Sequence, residues 1–273
     1  MTDDRVDAIR GLWSAGSYEA VGDMWASVGQ ALVDELSAEP GLAGRRVLDA
    51  ACGTGNTTLA LARAHARVVG VDLTPALLDV ARQRGDEAGL SIEWREGDLL
   101  DLPAEDESFD VVTSTFGALI ADDPFACAAE LARVCRPGGT IAVTAWARGG
   151  PFETYRGVVE EVAGELGPAD RPDAEAWAEA DGLRERFAAT PAELVDVERR
   201  EVGLPFPSAS AAVHFYEANS GPLIRTAEAV RAAGQDWDAV RAEVIRRWEG
   251  TAEHRSDGIV LRAPYGRALL SRA

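Results

Sequence analysis

The amino-acid sequence predicts an α/β protein with a mostly parallel β-sheet, on the basis of two observations. First, short apolar strands alternate with helical patterns between Arg45 and Trp146, which is the order of elements in a parallel sheet with crossover helices. Second, the strand Arg45–Ala50 leads through a turn with two glycines into the helix Thr57–Ala64. Such a turn lets a ligand lie against the main chain and places free N–H groups at the end of a strand. The sequence therefore predicts a ligand pocket at that turn.

The strands are predicted from apolar runs and from the turn signals that bound them. Arg67–Asp72 is apolar between its charged ends, as expected for a strand that is covered on both faces. Charges in the middle of Val195–Leu204 place that strand near an edge of the sheet. In chain order the predicted strands are Arg45–Ala50, Arg67–Asp72, Ser91–Arg95, Ser108–Ser114, Thr140–Trp146, Val195–Leu204 and Pro264–Ser271.

The helices are predicted from apolar residues at three- and four-residue steps and from capping signals. Such steps give one apolar face between Tyr18 and Leu36, and Thr74-Pro75 combines a capping side chain with proline at the first helical position. Turns are predicted at Glu39–Gly41 and Gly167–Asp173. In chain order the predicted helices are Arg5–Ala15, Tyr18–Leu36, Thr57–Ala64, Thr74–Glu87, Asp123–Cys135, Phe152–Leu166, Asp181–Ala188, Ser208–Asn219, Leu223–Ala233 and Trp237–Glu253.

Composition and charge reduce the number of functions to be expected of this protein. The 273 residues carry a net charge of -19 and all 27 basic residues are arginine, so the chain would repel a phosphate backbone and nucleic acid is not an expected partner. No apolar run reaches the length of a membrane span and the N-terminus lacks the pattern of a signal peptide, so we expect a cytoplasmic protein. Cys52, Cys127 and Cys135 have no metal-ligand spacing and are expected to be reduced.

The glycine turn excludes two kinds of nucleotide site. A dinucleotide fingerprint requires glycine three positions after Gly55, where Thr58 stands, and no Gly-Lys-Ser/Thr string of a P-loop occurs. Asp72 ends the next strand seventeen residues after Gly55, close to where an acidic residue accepts hydrogen bonds from a ribose in such folds. The alternative for Asp72 is a solvated acid at the end of a strand.

Five motifs occur in order before residue 140: Asp49-x-x-x-Gly53-x-Gly55, Asp72 at a strand end, Gly97-Asp98-x-x-x-Leu102-Pro103, Phe109-Asp110-Val111-Val112, and Arg133-x-x-Arg136-Pro137-Gly138-Gly139. Together they resemble the class I S-adenosylmethionine (SAM) dependent methyltransferases between Tyr18 and Trp146, and most nearly the small-molecule branch that includes the UbiE-like enzymes. The resemblance implies a Rossmann-like fold with a seven-stranded, mostly parallel sheet, an antiparallel last strand and a helical substrate cap. It also implies SAM as the cofactor and S-adenosylhomocysteine as its product.

The same resemblance implies which residues bind the cofactor. Asp72 would hold the ribose, and the Asp98 carboxylate would accept the adenine amine. The Leu99 backbone N–H would donate to the adenine ring, and Thr115-Phe116-Gly117 would face the methyl donor. Tyr18 is the candidate for an N-terminal lid, the alternative being that this segment packs on the sheet. The full set of implied cofactor-binding residues is Tyr18, Asp49, Ala51, Gly53, Gly55, Asn56, Asp72, Leu73, Asp98, Leu99 and Thr115.

Methyl transfer from a sulfonium depends on positioning and needs no metal, and it needs a general base only when the acceptor carries a proton at working pH. His214, flanked by apolar and aromatic residues, is the candidate base; the alternative is a histidine packed in a core. Trp146, Tyr155 and Tyr216 are candidate substrate contacts. No group of residues has metal-ligand spacing, so no metal is expected.

The sequence predicts five segments: 1–40 as an N-terminal lid, 41–150 as the SAM-binding core, 151–204 as further core, 205–257 as a substrate cap and 258–273 as the last core strand. The expected function is methyl transfer to a small molecule, with a hydroxyl oxygen of a secondary metabolite or quinone-like compound as the favoured acceptor. The alternatives are a non-methylating reaction, such as a cyclisation or pericyclic step, and a non-catalytic SAM-binding partner. A monomer or homodimer without nucleic-acid or membrane partners is expected.

Overall fold

The computed structural model describes residues 3–38, 41–164 and 173–273. The chain divides into two compact units of three segments each. The sheet unit comprises Trp25–Ala147, Pro172–Arg200 and Tyr265–Ala273. The helical unit comprises Met1–Met24, Arg148–Arg171 and Glu201–Pro264. The five segments predicted from the sequence, and their roles as lid and cap, stay predictions.

The strands of the described residues form one sheet. Their bounds are β1 Arg46–Ala50, β2 Arg67–Asp72, β3 Glu93–Glu96, β4 Phe109–Thr115, β5 Cys135–Trp146, β6 Ala192–Phe206, β7 Glu253–Arg255 and β8 Gly258–Arg272. The order across the sheet is β3-β2-β1-β4-β5-β8-β6, and β7 pairs with β8 off this path. The pairs among β1 to β5 are parallel, whereas β8 runs antiparallel to β5. The predicted mostly parallel sheet with an antiparallel last strand is thus confirmed, and the short β7 is an addition to it.

The helices alternate with the strands through the first half of the chain and cluster after β6. Their bounds are α1 Asp3–Trp13, α2 Tyr18–Asp23, α3 Ala26–Leu36, α4 Asn56–Arg63, α5 Pro75–Glu87, α6 Pro124–Val134, α7 Pro151–Ala163, α8 Ala180–Phe187, α9 Ala209–Asn219, α10 Gly221–Ala232 and α11 Trp237–Thr251. Asp123, Ser208 and Asp236 cap α6, α9 and α11, because each side chain accepts a hydrogen bond from a backbone N–H of the first turn.

The predicted single helix from Tyr18 to Leu36 is wrong. The chain forms α2 and α3 instead, and the break falls at Trp25, whose φ of −121° and ψ of 22° lie outside the helical region. The Trp25 ring packs edge-on against Trp146, with 5.3 Å between ring centroids. We infer that packing of this one large ring overrides an apolar periodicity that continues through both helices.

The predicted bounds of the other elements differ less from those in the structure. β5 begins at Cys135 instead of Thr140, because Cys135 already pairs with Phe109 of β4. β8 begins at Gly258 rather than Pro264, because its first residues pair with β7. Parts of two predicted turns, 39–40 and 167–172, and the predicted end of the helix at Leu166 lie outside the described residues.

The sheet unit has apolar packing on both faces of β1. Leu48 belongs to a buried cluster that includes Leu131 of α6, whereas its neighbour Val47 belongs to another that includes Val33 of α3 and Leu61 of α4. Adjacent residues of a strand point to opposite faces, so the sheet is covered on both sides. This arrangement explains why the sequence of β1 and β2 is almost continuously apolar.

Trp94 of β3 fills a space that three glycines leave open. A Cβ built on Gly70 would lie 2.6 Å from the Trp94 ring, and one built on Gly55 would lie 3.0 Å from it. A Cβ on Gly85 of α5 would lie 3.6 Å from the same ring, which is an ordinary contact distance. The indole thus connects the second strand, α5 and the glycine turn at the start of α4.

The Gly70→Ala substitution should destabilise the protein, because a methyl group at 2.6 Å forces Trp94 or the strand to move. We expect a loss of about 1–3 kcal/mol in the free energy of unfolding, the usual cost of overpacking a core. Gly85→Ala is the matched control, since its methyl group meets the same ring at an ordinary distance and replaces a glycine inside a helix. Urea denaturation of both variants measures the difference, and equal stabilities would contradict this account of Trp94.

Candidate functional site

The turn between β1 and α4 contains three residues with left-handed backbone conformations. Ala51, Gly53 and Gly55 have φ values of 55°, 55° and 86°. The two glycines differ in what surrounds them: a Cβ on Gly55 would crowd Trp94 and Ala81, whereas a Cβ on Gly53 would have nothing within 4 Å. Packing therefore requires glycine at Gly55, but it leaves the Gly53 main chain facing open space where a ligand can approach.

Asp72, at the end of β2, is tied to this turn. Its Oδ2 accepts the backbone N–H of Gly53 at 2.8 Å, and its Oδ1 accepts the N–H of Thr74 at 2.9 Å. The side chain is 8% exposed, and burial raises its pKa from the ordinary value. The Thr74 hydroxyl and the Leu73 backbone N–H also hydrogen-bond to this carboxylate, so a further donor from a ligand would have to share an oxygen with them. Two neighbouring carboxylate oxygens can receive a ligand with two neighbouring hydroxyl groups, such as a ribose.

Asp49, at the end of β1, bonds to threonines on two other elements. Thr58 of α4 donates its hydroxyl to Oδ2 at 2.6 Å, and Thr113 of β4 donates to Oδ1 at 2.8 Å. The carboxyl group is 1% exposed, and burial raises its pKa to about 6. Asp49 thus joins β1, β4 and α4 beneath the glycine turn. Its implied contact with a cofactor stays a prediction.

Asp98 and Leu99 lie in a tight loop after β3. Asp98 forms an isolated bridge with Asp101, and its Oδ1 accepts the backbone N–H of Leu100 at 3.0 Å. Asp98 is 5% exposed, and Leu99 is partly buried against the larger apolar cluster of the sheet unit. The loop is therefore fixed by its own hydrogen bonds, and its predicted contacts with an adenine are not tested.

Three further predicted residues lie around the start of α4 and the end of β2. The Thr57 hydroxyl donates to the Thr115 hydroxyl at 2.9 Å, which links α4 to the end of β4. Asn56, the first residue of α4, accepts a hydrogen bond from Arg84 of α5 at 3.0 Å. Leu73 follows Asp72 and is half-buried. The structure thus gathers the predicted turn residues of the sheet unit along the carboxyl ends of β1, β2 and β4.

An aromatic cluster lies beyond the end of β4, in the sheet unit. Phe116 stacks on Trp146 with 3.9 Å between centroids, and Trp25 and Tyr265 pack edge-on against Phe116 at 6.1 and 6.0 Å. Phe116 has a φ of 57°, a strained conformation for a bulky residue. The next residue, Gly117, approaches the turn so closely that a Cβ on it would lie 2.6 Å from the Ala51 Cβ.

The remaining predicted residues lie in the helical unit. Tyr18 begins α2, and its ring packs edge-on against Trp13 at 4.9 Å. Tyr155 of α7 and Tyr216 of α9 are buried, and burial raises the pKa of both phenols. His214 is exposed on α9, with Nδ1 3.4 Å from the Ser210 hydroxyl. The roles of these four residues stay predictions.

Sequence reasoning missed the residues that support the turn from other elements. Thr58 and Thr113 hold Asp49, and Arg84 holds Asn56. A threonine or an arginine inside a regular element carries no local signal of its partner, because the partner comes from a different part of the chain. Phe116 and Gly117, which the sequence singles out after the predicted strand, adjoin Ala51 of the turn.

The described part of the chain contains no group of three or more His, Cys, Asp or Glu side chains that could hold a metal ion. Within the same residues, no helix combines the length and the apolar character needed to cross a membrane. The three cysteines are free thiols, and burial raises the pKa of each.

The sheet order and the glycine turn define a Rossmann-like α/β protein, a class in which ligands bind at the carboxyl ends of the parallel strands. Residues 47–139 match the family model described as a methyltransferase domain. An uncharacterized protein of Mycobacterium tuberculosis strain H37Rv is 35% identical over 260 residues, which cover 92% of this chain and 89% of that protein. The chain belongs to the class I SAM-dependent methyltransferase family.

Other similarities cover less of the chain or concern the fold. The demethylmenaquinone methyltransferase of Clavibacter sepedonicus is 42% identical over 104 residues, which cover 37% of this chain and 41% of that protein. The crystal structure of the Bacillus subtilis protein YcgJ has a TM-score of 0.59 at 18% identity, covering 90% of this chain and 98% of that one. The 4+2 cyclase SpnF has a TM-score of 0.54 at 23% identity, covering 89% of this chain and 81% of that one.

Burial of Asp49 predicts a pH-dependent contribution to stability. Because burial raises the folded-state pKa of Asp49 from 3.8 to about 6, the folded protein binds the proton of this carboxyl group more tightly than the unfolded chain does. The resulting contribution to the free energy of unfolding is lost as pH rises between these two values. Asp49→Asn should keep hydrogen bonds to both threonines and cannot ionise. Between pH 4 and 7 the wild type should therefore lose about 2 kcal/mol of unfolding free energy relative to this variant. Urea titrations across that range measure it, and a constant difference would contradict the raised pKa.

Proposed function

We propose that this protein is a SAM-dependent methyltransferase that acts on a small-molecule acceptor, with a hydroxyl oxygen of a secondary metabolite or quinone-like compound as the methylated atom. The observation that carries the proposal is the open face of Gly53 beside the Asp72 carboxylate. The net charge of -19 supports a small acceptor rather than a nucleic acid. A cytoplasmic monomer or homodimer that works without a metal ion completes the proposal.

The residues of the sheet unit fit the parts of the proposed cofactor. Asp72 would accept hydrogen bonds from the ribose hydroxyls, and the left-handed main chain at Gly53 would lie against the amino-acid portion. The Asp98 loop would receive the adenine. When bound, SAM supplies an electrophilic methyl group on a sulfonium. The chain's own task is then to hold the acceptor in line, a positioning effect that can contribute about 7–11 kcal/mol to lowering the barrier.

The similarity that supports the acceptor class covers less of the chain than the motifs that support the cofactor. The demethylmenaquinone methyltransferase similarity supports a quinone-like acceptor, but it covers only 37% of this chain. The aromatic cluster around Phe116 and Trp146 adjoins the turn through Gly117, which supports an aromatic acceptor over a charged one. Trp146 keeps its predicted role as a substrate contact on this ground.

A second candidate function keeps the SAM site but performs a cyclisation or pericyclic step. The fold similarity to the cyclase SpnF favours it, at a TM-score of 0.54. The two functions differ in the fate of the methyl group. SAM labelled in its methyl carbon, incubated with the protein and an extract of small molecules, should yield a labelled small molecule if methyl transfer occurs. A protein that binds S-adenosylhomocysteine but transfers no label to any acceptor would favour the second candidate.

The Asp72→Asn substitution tests the cofactor site directly. The amide has one acceptor oxygen where the carboxylate has two, so a ribose hydroxyl loses a charged partner. We expect S-adenosylhomocysteine to bind about 10- to 100-fold more weakly, which corresponds to the usual worth of such a hydrogen bond. Asp79→Asn, on the exposed side of α5, is the matched control and should bind like the wild type. Titration calorimetry measures both, and unchanged affinity in Asp72→Asn would refute the ribose assignment.

The candidate base of the proposed reaction is His214. If it removes the proton from a hydroxyl acceptor, His214→Ala should lower turnover about 10²- to 10⁴-fold, the usual range for general base catalysis. The affinity for S-adenosylhomocysteine should stay the same, because His214 is not among the predicted cofactor-binding residues. His254→Ala removes another exposed histidine and serves as the control. Turnover of His214→Ala within a few-fold of the wild type would show that positioning alone drives the transfer.

A further inference from the structure

A groove of about 580 Å³ lies between the helices α3, α4 and α5 of the sheet unit. One face of α4 forms its base, because Asn56, Leu59 and Arg63 line it at three- and four-residue steps. The groove therefore extends about 10 Å along this helix, from Asn56 to Arg63. Its volume falls within the range of about 300–1,000 Å³ that is usual for small-molecule sites. The groove thus has the size for a small ligand.

The lining of the groove combines apolar and polar groups. Leu59 is 6% exposed at the base, and α3 contributes the Ser27 hydroxyl. Two arginines, Arg63 and Arg84, and one acid, Glu87, give the lining a net charge of +1. The whole chain carries a net charge of -19, so this positive lining is unusual for its surface. An apolar base with a few polar groups is typical of sites that bind organic ligands.

Arg63 is exposed and has no partner within the protein. Its side chain makes no hydrogen bond, ion pair or ring contact with the described residues, and the same holds for Arg45 and Arg67. Each of the other arginines in the described part of the chain has a hydrogen bond, an ion pair, a ring contact or another electrostatic interaction. Acidic residues outnumber basic ones by 46 to 27, so the lack of a partner at these three positions stands out.

The three arginines without partners lie at one end of the sheet unit. Arg63 ends α4 and Arg67 begins β2, and the Arg67 backbone N–H donates to the Arg45 carbonyl at 2.8 Å just before β1. Positive charges that lie together without counter-ions attract an anion. The forked N–H donors of a guanidinium fit the oxygen atoms of a carboxylate or a phosphate. The Arg63 end of the groove therefore favours an oxyanion.

We propose that this groove binds a small organic anion, with an apolar body over Leu59 and a carboxylate or phosphate group against Arg63. Asn56 is the single predicted cofactor-binding residue in the lining, and its side-chain oxygen already accepts a hydrogen bond from Arg84 at 3.0 Å. The other lining residues belong to the three helices, so the anion and SAM occupy separate sites. This inference goes beyond the proposed function and does not depend on methyl transfer.

The test uses phenyl phosphate, benzoate and benzyl alcohol, three probes that share a ring and differ in charge. Nuclear magnetic resonance titration of the isotope-labelled full chain gives the dissociation constants and shows which amide signals move. We expect both anions to bind more tightly than the alcohol and to move signals of α4, with S-adenosylhomocysteine present as in its absence. The tighter anion identifies the charged group of the ligand. Displacement of the anions by S-adenosylhomocysteine would place them in the cofactor site and overturn the proposal.

The Arg63→Gln substitution removes the proposed partner of the anion at an exposed position, so the fold should persist. We expect it to weaken both anions about 3- to 10-fold and to leave benzyl alcohol unchanged, as for the loss of a partly exposed charged hydrogen bond. Arg82→Gln is the matched control, because it removes the same charge from α5 outside the groove. Equal effects of the two substitutions would reflect net charge alone. That result, or no binding of either anion up to its solubility, would overturn the proposal.

Discussion

The hydrogen bonds of the buried Asp49 carboxylate are the interaction on which the proposed cofactor turn depends. One oxygen holds a threonine of α4 and the other holds a threonine of β4, so a single side chain fixes the helix and two neighbouring strands. The left-handed path from Ala51 to Gly55 begins two residues later. The left-handed conformation strains Ala51, which has a Cβ, but not the two glycines, and the bonds of Asp49 hold the elements on both sides of the turn in place.

Asp72 repeats this arrangement one strand further along the sheet. It accepts one backbone N–H from the turn and another from the start of α5. The two aspartates differ in their donors: threonine hydroxyls of α4 and β4 donate to Asp49, whereas the donors to Asp72 include the backbone N–H groups of Gly53 and Thr74. Asp49 therefore links regular elements, and Asp72 links the turn to the start of α5. Strand-end acids of similar appearance in the sequence are thus held by different elements.

The sequence predicts those features that depend on local patterns. The strands β1 and β2, the glycine turn and the antiparallel last strand follow from apolar runs, from glycine chemistry and from the family resemblance. The break at Trp25 does not, because the Trp146 ring that packs against Trp25 comes from β5, more than a hundred residues away. The support of Asp49 by Thr58 and Thr113 escapes prediction for the same reason. On α9 the sequence leaves two interpretations of His214, a catalytic base or a histidine packed in a core. The three-dimensional packing shows that His214 is exposed and Tyr216 is buried.

The division into two units of three segments each affects how such a protein can be altered by evolution or by design. Neither unit is a contiguous stretch of chain, so neither can be gained, lost or exchanged by one insertion or deletion. Trp25, Trp146 and Tyr265 lie at or beside the ends of the sheet unit's segments, and all three contact Phe116 or one another. A chimaera that joins this sheet unit to foreign helices would thus have to place three junctions outside this aromatic cluster. Single substitutions within either unit are therefore more accessible than replacement of the unit as a whole.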